Sequence, residues 1–292
     1  MMFVATWLLT ATLIASSVSE RPLALTVHGT RIPAALDLPA HATAKGAVLV
    51  VPGAFNSDVD GNYPTQGFSP HTYADIARGL AARGYAALRY AKDGEGTGIT
   101  LFDANLAAQH QDFSERIAIA QAALQALREA AGNSVPVTIA GHSEGGIVAT
   151  LLAAHDPNIR GLIELEAPGQ PILDLAQQQT FAAIADGERS GTIPPQTATT
   201  ERALIVQAIA GIRAGIDPPP MIEPLITQYF GKPANVELAE LRQEDRIDPA
   251  HAIANVHAPV LIVEGTADNV VPRGEAERLD AARLAAHLPT TL

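Results

Sequence analysis

The stretch VPVTIAGHSEGGIVATLLAA, residues 135–154, decides the fold. It begins as a short apolar, β-branched run, passes through Gly141-His142-Ser143-Glu144-Gly145, and continues in strong helix formers. That order reads as strand, tight turn, helix. The pattern Gly-x-Ser-x-Gly is weak by itself. Between a strand and a helix it sets a serine on a sharp turn at the strand's carboxyl end. A Cβ at Gly141 or Gly145 would clash with the adjoining strand and helix, so the turn requires glycine. Ser143 then projects into the crevice above the sheet, where open α/β sheets bind ligands. The N–H groups and positive dipole end of the following helix favour negative charge there. The competing reading, a serine in a glycine-rich connection, does not account for both flanks.

Working outward, residues 23–27 and 32–38 alternate around His28-Gly29-Thr30 and predict an antiparallel hairpin. AVLVV (47–51) is a continuous apolar run, as in a strand buried on both faces of a parallel sheet. Residues 85–90, 136–140, 161–165 and 259–263 predict further strands. Helical spacing covers 73–83, 113–131, 145–154 and 274–287. Strands alternating with helices imply an α/β fold with a doubly wound, mostly parallel sheet. Residues 168–245 break the alternation, with many Gln, Pro and Ala. That is too long for a structureless loop in a compact domain, so a helical cap inserted over the sheet is expected.

Residues 3–15, FVATWLLTATLIA, form an apolar run of about 13, short for a bilayer span but right for a secretory signal core. Small residues at 15–19 suit cleavage, although no Lys or Arg precedes the run. A signal peptide over 1–19, export, and a mature domain over 20–292 are therefore expected, with no stable membrane span.

Composition excludes several classes. Nineteen Lys+Arg against 31 Asp+Glu give a net charge of −12, which argues against a nucleic-acid face. No cysteine is present, so thiol catalysis, thiolate metal sites and disulfides are excluded. The nine histidines show no metal-ligand spacing in a suitable context, so no metal and no cofactor is expected. Gly94, Gly96 and Gly98 lack the phosphate-binding spacing. Arg242, Glu244, Asp245 and Arg246 read as a solvated face, and Glu164 and Glu166 as brackets around Leu165.

A serine nucleophile needs an oxyanion hole and a base oriented by an acid. The N–H of Glu144 is the first expected oxyanion donor. The second comes from the loop after AVLVV, at Ala54 or next at Phe55, with Gly53 allowing the sharp turn. PVLIVEGTADNVVP places Asp268 in a polar turn past a strand, as the expected acid; the competing reading is a helix-capping Asp.

Together these residues resemble the α/β-hydrolase superfamily from about residue 23 onward. PGAFNSDVDGN (52–62), LRYAKDGEGTG (88–98) and GHSEGG (141–146) are similar to segments of bacterial esterase-like serine hydrolases. Val59 stands where those enzymes carry Arg, and Asp93-Gly94-Glu95 replaces a basic turn. The resemblance implies hydrolysis of a small-molecule carboxylic ester through an acyl-enzyme on Ser143. It also implies a histidine base on a loop after one more strand. Here the final predicted helix runs into LPTTL, so that strand and histidine are expected to be missing. Strand 259–263 would then be an exposed edge open to self-association. His71 and His110 follow strands and are the substitute bases to consider. His287 is a third, but thirteen residues of helix would carry it roughly 20 Å from the helix start. A non-catalytic α/β-hydrolase-like protein is the alternative reading, and an acyltransferase a third.

Overall fold

The computed structural model describes residues 18–40, 42–92, 96–132, 134–217, 234–268, 270–272 and 274–292. The expected signal segment lies outside these, apart from Val18 and Ser19, which open the first strand. The strands are β1 (Val18–Val27), β2 (Thr30–Pro39), β3 (Ala47–Val51), β4 (Ala86–Tyr90), β5 (Thr100–Leu101), β6 (Val137–His142), β7 (Ile159–Leu165), β8 (Val260–Val263) and β9 (Thr290–Thr291). They form one sheet in the order β1-β2-β4-β3-β6-β7-β8-β9, with β5 on β2. The β1–β2 hairpin is antiparallel and joins β4 antiparallel, and every pairing from β4 to β9 is parallel. All five residues of β3 and of β4 are buried, as covering both faces of a parallel sheet demands.

The described helices are α1 (Thr72–Ala82), α2 (Ala104–Ala107), α3 (Phe113–Ala131), α4 (Glu144–His155), α5 (Ile172–Ser190), α6 (Pro195–Arg213), α7 (Ala234–Glu244), α8 (Pro249–Ile253) and α9 (Gly274–Ala285). α1, α3 and α4 pack on the sheet and enclose the main core around Leu49, Leu88, Ile139, Ile147 and Leu162. Between β7 and β8 run α5 to α8. Leu173, Ile184, Ile205, Ile209, Ile212, Leu238 and Leu241 give α5, α6 and α7 a core of their own. No described helix is long and apolar enough to cross a membrane.

Two expectations are corrected here. A strand does follow the last helix: Thr290 and Thr291 pair in parallel with Val260 and Leu261, so the first half of β8 is covered. Arg283 bridges the two segments. Its buried guanidinium donates to Val256 O (2.6 Å) and Ala258 O (3.1 Å) before β8, and to Pro289 O (2.8 Å) and Thr290 Oγ1 (3.0 Å) beside it. One side chain thus gathers the carbonyls of both segments. The run at 242–246 is not wholly a solvated face, because Glu244 is buried, facing inward from α7.

Candidate active site

Ser143 joins β6 to α4 with φ 54° and ψ −128°, a conformation that disfavours any side chain. Such strain persists only where the surroundings over-determine it. Here the Ser143 N–H donates to Leu165 O at the end of β7 (2.9 Å), and Gly146 N–H donates back to Ser143 O (2.8 Å). The glycines act as the sequence requires. A Cβ on Gly141 would overlap the Gly145 carbonyl, and one on Gly145 would lie 2.5 Å from the Val51 and Pro52 carbonyls. Gly146 is equally confined, against Glu164 and Ala167.

The loop after β3 lies against this turn. A Cβ on Gly53 would be 3.1 Å from Ser143 Cβ and from His142 Nδ1. Gly53 N–H donates to the buried Tyr73 hydroxyl (2.9 Å), which also meets His142 Nδ1 (3.0 Å). Tyr73 therefore clamps the Gly53 loop to the serine turn. Nothing in the pattern of α1 distinguishes Tyr73 from a core residue, so sequence reasoning missed it. Burial pushes its hydroxyl far above the usual tyrosine range, so it stays protonated. Among the described residues, the N–H groups of Ala54 and Phe55 donate to no acceptor. Ala54 is half-buried, whereas Phe55 is exposed with its ring edge on Tyr63.

Glu144 opens α4, and its side chain turns into a buried cluster. Lys92 Nζ donates to Glu144 Oε1 (2.6 Å), and Arg116 Nε lies 3.2 Å from the same oxygen. Arg116 also pairs with Glu240 of α7. Burial, with Glu144 and Glu240 adding to it, pushes the Glu244 carboxyl well above the usual range. The residue after the serine is thus anchored through its side chain, a role its sequence position did not reveal.

Asp268 lies in the turn after β8. Its Oδ1 accepts from Val270 N–H (2.6 Å) and Val271 N–H (3.1 Å), which close the turn itself, three residues short of the helix that begins at Gly274. Its carboxyl also meets that of Glu166, which sits after β7 at φ 51° and accepts from Gly265 N–H. Burial first, then Asp268 and Glu264, hold the Glu166 carboxyl above its usual range despite that N–H. Burial lowers the His142 imidazole, and the Asp268 charge opposes the shift. Asp268 is thus electrostatically coupled to the residue before Ser143.

The three candidate histidines separate. His71 is the exposed N-cap of α1 in a left-handed conformation, with its N–H on Asn62 Oδ1 (3.0 Å). His110 stacks on His28 at the hairpin turn. His287 lies past α9, three residues before Thr290, which pairs with the first residue of β8. That is the amino edge of the sheet, opposite Ser143.

Glu164 does not merely bracket Leu165. It is fully buried under α4, accepts from Thr150 Oγ1 (2.6 Å), and burial pushes it up to about 8. An unfolded chain releases that proton near pH 4.3, so the folded state holds more protons from there to about pH 8. Stability attributable to Glu164 falls as pH rises through that window, by at most about 1.4 kcal/mol per pH unit. Glu164→Gln mimics the protonated form. Its melting temperature relative to the parent should rise progressively from pH 5 to 8, and a pH-independent difference would refute the buried proton.

The described geometry meets known proteins at this point. The family described as serine aminopeptidase, S33, matches residues 67–185, which include the Ser143 turn. The structure superposes on a thermostable carboxyl esterase from Bacillus coagulans with a TM-score of 0.56 at 15% identity, covering 94% of this chain and 88% of that one. An esterase from Pyrococcus furiosus gives 0.55 at 13% identity, covering 99% and 86%. The chain has the α/β-hydrolase fold. A hydrolase from Pseudomonas aeruginosa shares this α/β-hydrolase architecture at a TM-score of 0.50 and 18% identity, over 92% and 87%. No curated protein sequence matches the chain.

Proposed function

We propose that this α/β hydrolase is a serine esterase that cleaves small carboxylic esters through an acyl-enzyme on Ser143. The observation that carries the reading is the strained Ser143 turn held against the Gly53–Ala54 loop. Ser143 Oγ attacks the ester carbonyl carbon, and its proton passes to a general base oriented by Asp268. The N–H groups of Glu144 and Ala54 hold the oxyanion, the alcohol leaves with a proton, and water then releases the acid. The helices between β7 and β8 act as the cap that shapes the substrate pocket.

The S33 match supports a second substrate class, an amide at a peptide's amino end. Turnover of p-nitrophenyl esters beside aminoacyl p-nitroanilides separates the two. A fluorophosphonate probe should add one label per chain, mapped to Ser143. No label and background turnover would favour the non-catalytic alternative. Replacement of His110 or His287 by Ala should leave ester turnover unchanged, because neither lies at the Ser143 turn. Loss of turnover in the His287 variant without loss of fold would place the base at the wrong edge of the sheet.

A further inference from the structure

His28 lies 87 residues before Glu115, and nothing in the sequence connects it to the His110–Glu115 segment. The fold brings them together at the turn of the β1–β2 hairpin. His28 Nδ1 lies 2.5 Å from Glu115 Oε2. The His110 ring lies flat on that of His28, with centroids 3.7 Å apart and planes 12° from parallel. One ligand atom from each residue can be chosen so that all three lie within 4.8 Å of one another.

The three come from separate segments on a rigid frame. His28 occupies the hairpin turn with φ 35°, a conformation rarely adopted by a residue with a side chain. The adjacent Gly29 carbonyl accepts from Phe102 N–H (2.9 Å) and Asp103 N–H (3.1 Å), which sews the turn to the segment leading to α2. His110 follows α2, with its N–H on Ala107 O (3.1 Å). Glu115 is in the first turn of α3, whose N-terminus Asp112 caps through Ser114 N–H (3.0 Å). All three residues are partly buried, accessible to an ion yet held by their surroundings.

We infer that His28, His110 and Glu115 form a binding site for a divalent transition-metal ion of the zinc type. Two imidazoles and one carboxylate are a donor set that suits zinc, cobalt or nickel better than magnesium or calcium. Zinc bonds of about 2.0–2.2 Å place neighbouring tetrahedral ligands roughly 3.4 Å apart. To reach this spacing the stacked rings would fan apart and the His28–Glu115 contact would open, with water completing the shell. An imidazolium–carboxylate pair accounts for His28 and Glu115 but gives His110 no role. Between β2 and the Ser143 strand β6 lie β4 and β3, so the ion belongs to the hairpin rather than to ester chemistry. It would staple β1 and β2 to α3.

Zinc chloride titrated into the metal-stripped 292-residue protein by calorimetry should show one saturable site and raise the melting temperature. Binding should release protons and weaken on acidification, because an imidazole must be neutral to coordinate. His110→Ala and Glu115→Gln should each weaken binding by at least about tenfold. The His110 variant should unfold close to the parent temperature without metal, since among the described residues its ring makes no hydrogen bond and gives up only its stack on His28. His155→Ala, a surface control, should bind as the parent does. Absence of a saturable site, or equal affinity in His110→Ala, would overturn the assignment and leave a simple ion pair.

Discussion

Ser143→Ala is expected to lower p-nitrophenyl ester turnover by about 10⁴–10⁶, the usual consequence of removing the nucleophile of such a machine. KM should change little, because the hydroxyl is small and the pocket walls remain. The strain at this position supplies an internal control. Alanine keeps a Cβ and so keeps the unfavourable φ of 54°. Glycine does not, and Ser143→Gly should be more stable than Ser143→Ala by about 1–3 kcal/mol. Two inactive variants with different melting temperatures would show that the turn stores strain to present its hydroxyl. Equal stability would mean that the conformation is relaxed, and turnover that survives in both would move the chemistry to another residue.

The second large effect is on stability. Arg89 lies in β4 with its guanidinium fully buried. It pairs with Asp37 of β2, with Glu20 of β1 (2.9 Å) and with Asp60 (2.8 Å). Burial pushes the Asp37 carboxyl up, and the Arg89 charge opposes that shift. Arg89→Met removes the opposing charge and leaves an uncompensated buried acid, which typically costs 3–5 kcal/mol, or roughly 10 °C in melting temperature. The loss should be greatest at high pH, where Asp37 is forced to ionise. Arg89→Met with Asp37→Leu removes both charges and should recover most of the loss. A single variant that melts with the parent would show that the pair contributes nothing.

Arg89 also bears on the site. Asp60 O accepts from Tyr73 N–H and Ala74 N–H (both 3.1 Å), and so caps α1. Asp58 Oδ1 accepts from Asp60 N–H and Asn62 N–H (both 2.9 Å) and keeps that loop tight. Gly61 lets the loop pass Tyr73, since a Cβ there would be 2.7 Å from its nitrogen. Tyr73 in turn holds Gly53 and His142. One buried charge at the sheet thus supports the backbone around Ser143 through a chain of short contacts.

Local signals were readable wherever one segment carries its own constraint. The helix Phe113–Ala131 and the strand Ala47–Val51 have the expected limits, and the Gly-x-Ser-x-Gly turn has the expected strain. Each depends on neighbours within a few residues: apolar period, capping side chain, glycine at a forced φ. The two-residue strand Thr290–Thr291 was not readable, because two threonines have no period and their pairing depends on Arg283 reaching across to other carbonyls. Glu244 and Glu164 looked polar in sequence and are buried, and groups that act on them, Lys92 on Glu244 and Thr150 on Glu164, lie 152 and 14 residues away.

By itself, then, the sequence determined a parallel α/β sheet, a serine on a strained turn, and an acid after a later strand. Each is written in short-range patterning that permits one local conformation. Only the tertiary structure decided that Tyr73 clamps the Gly53 loop, that Asp268 meets Glu166, and that His28, His110 and Glu115 converge. Those contacts join side chains whose separation along the chain bears no relation to their distance in space, and only the closed sheet brings them within reach.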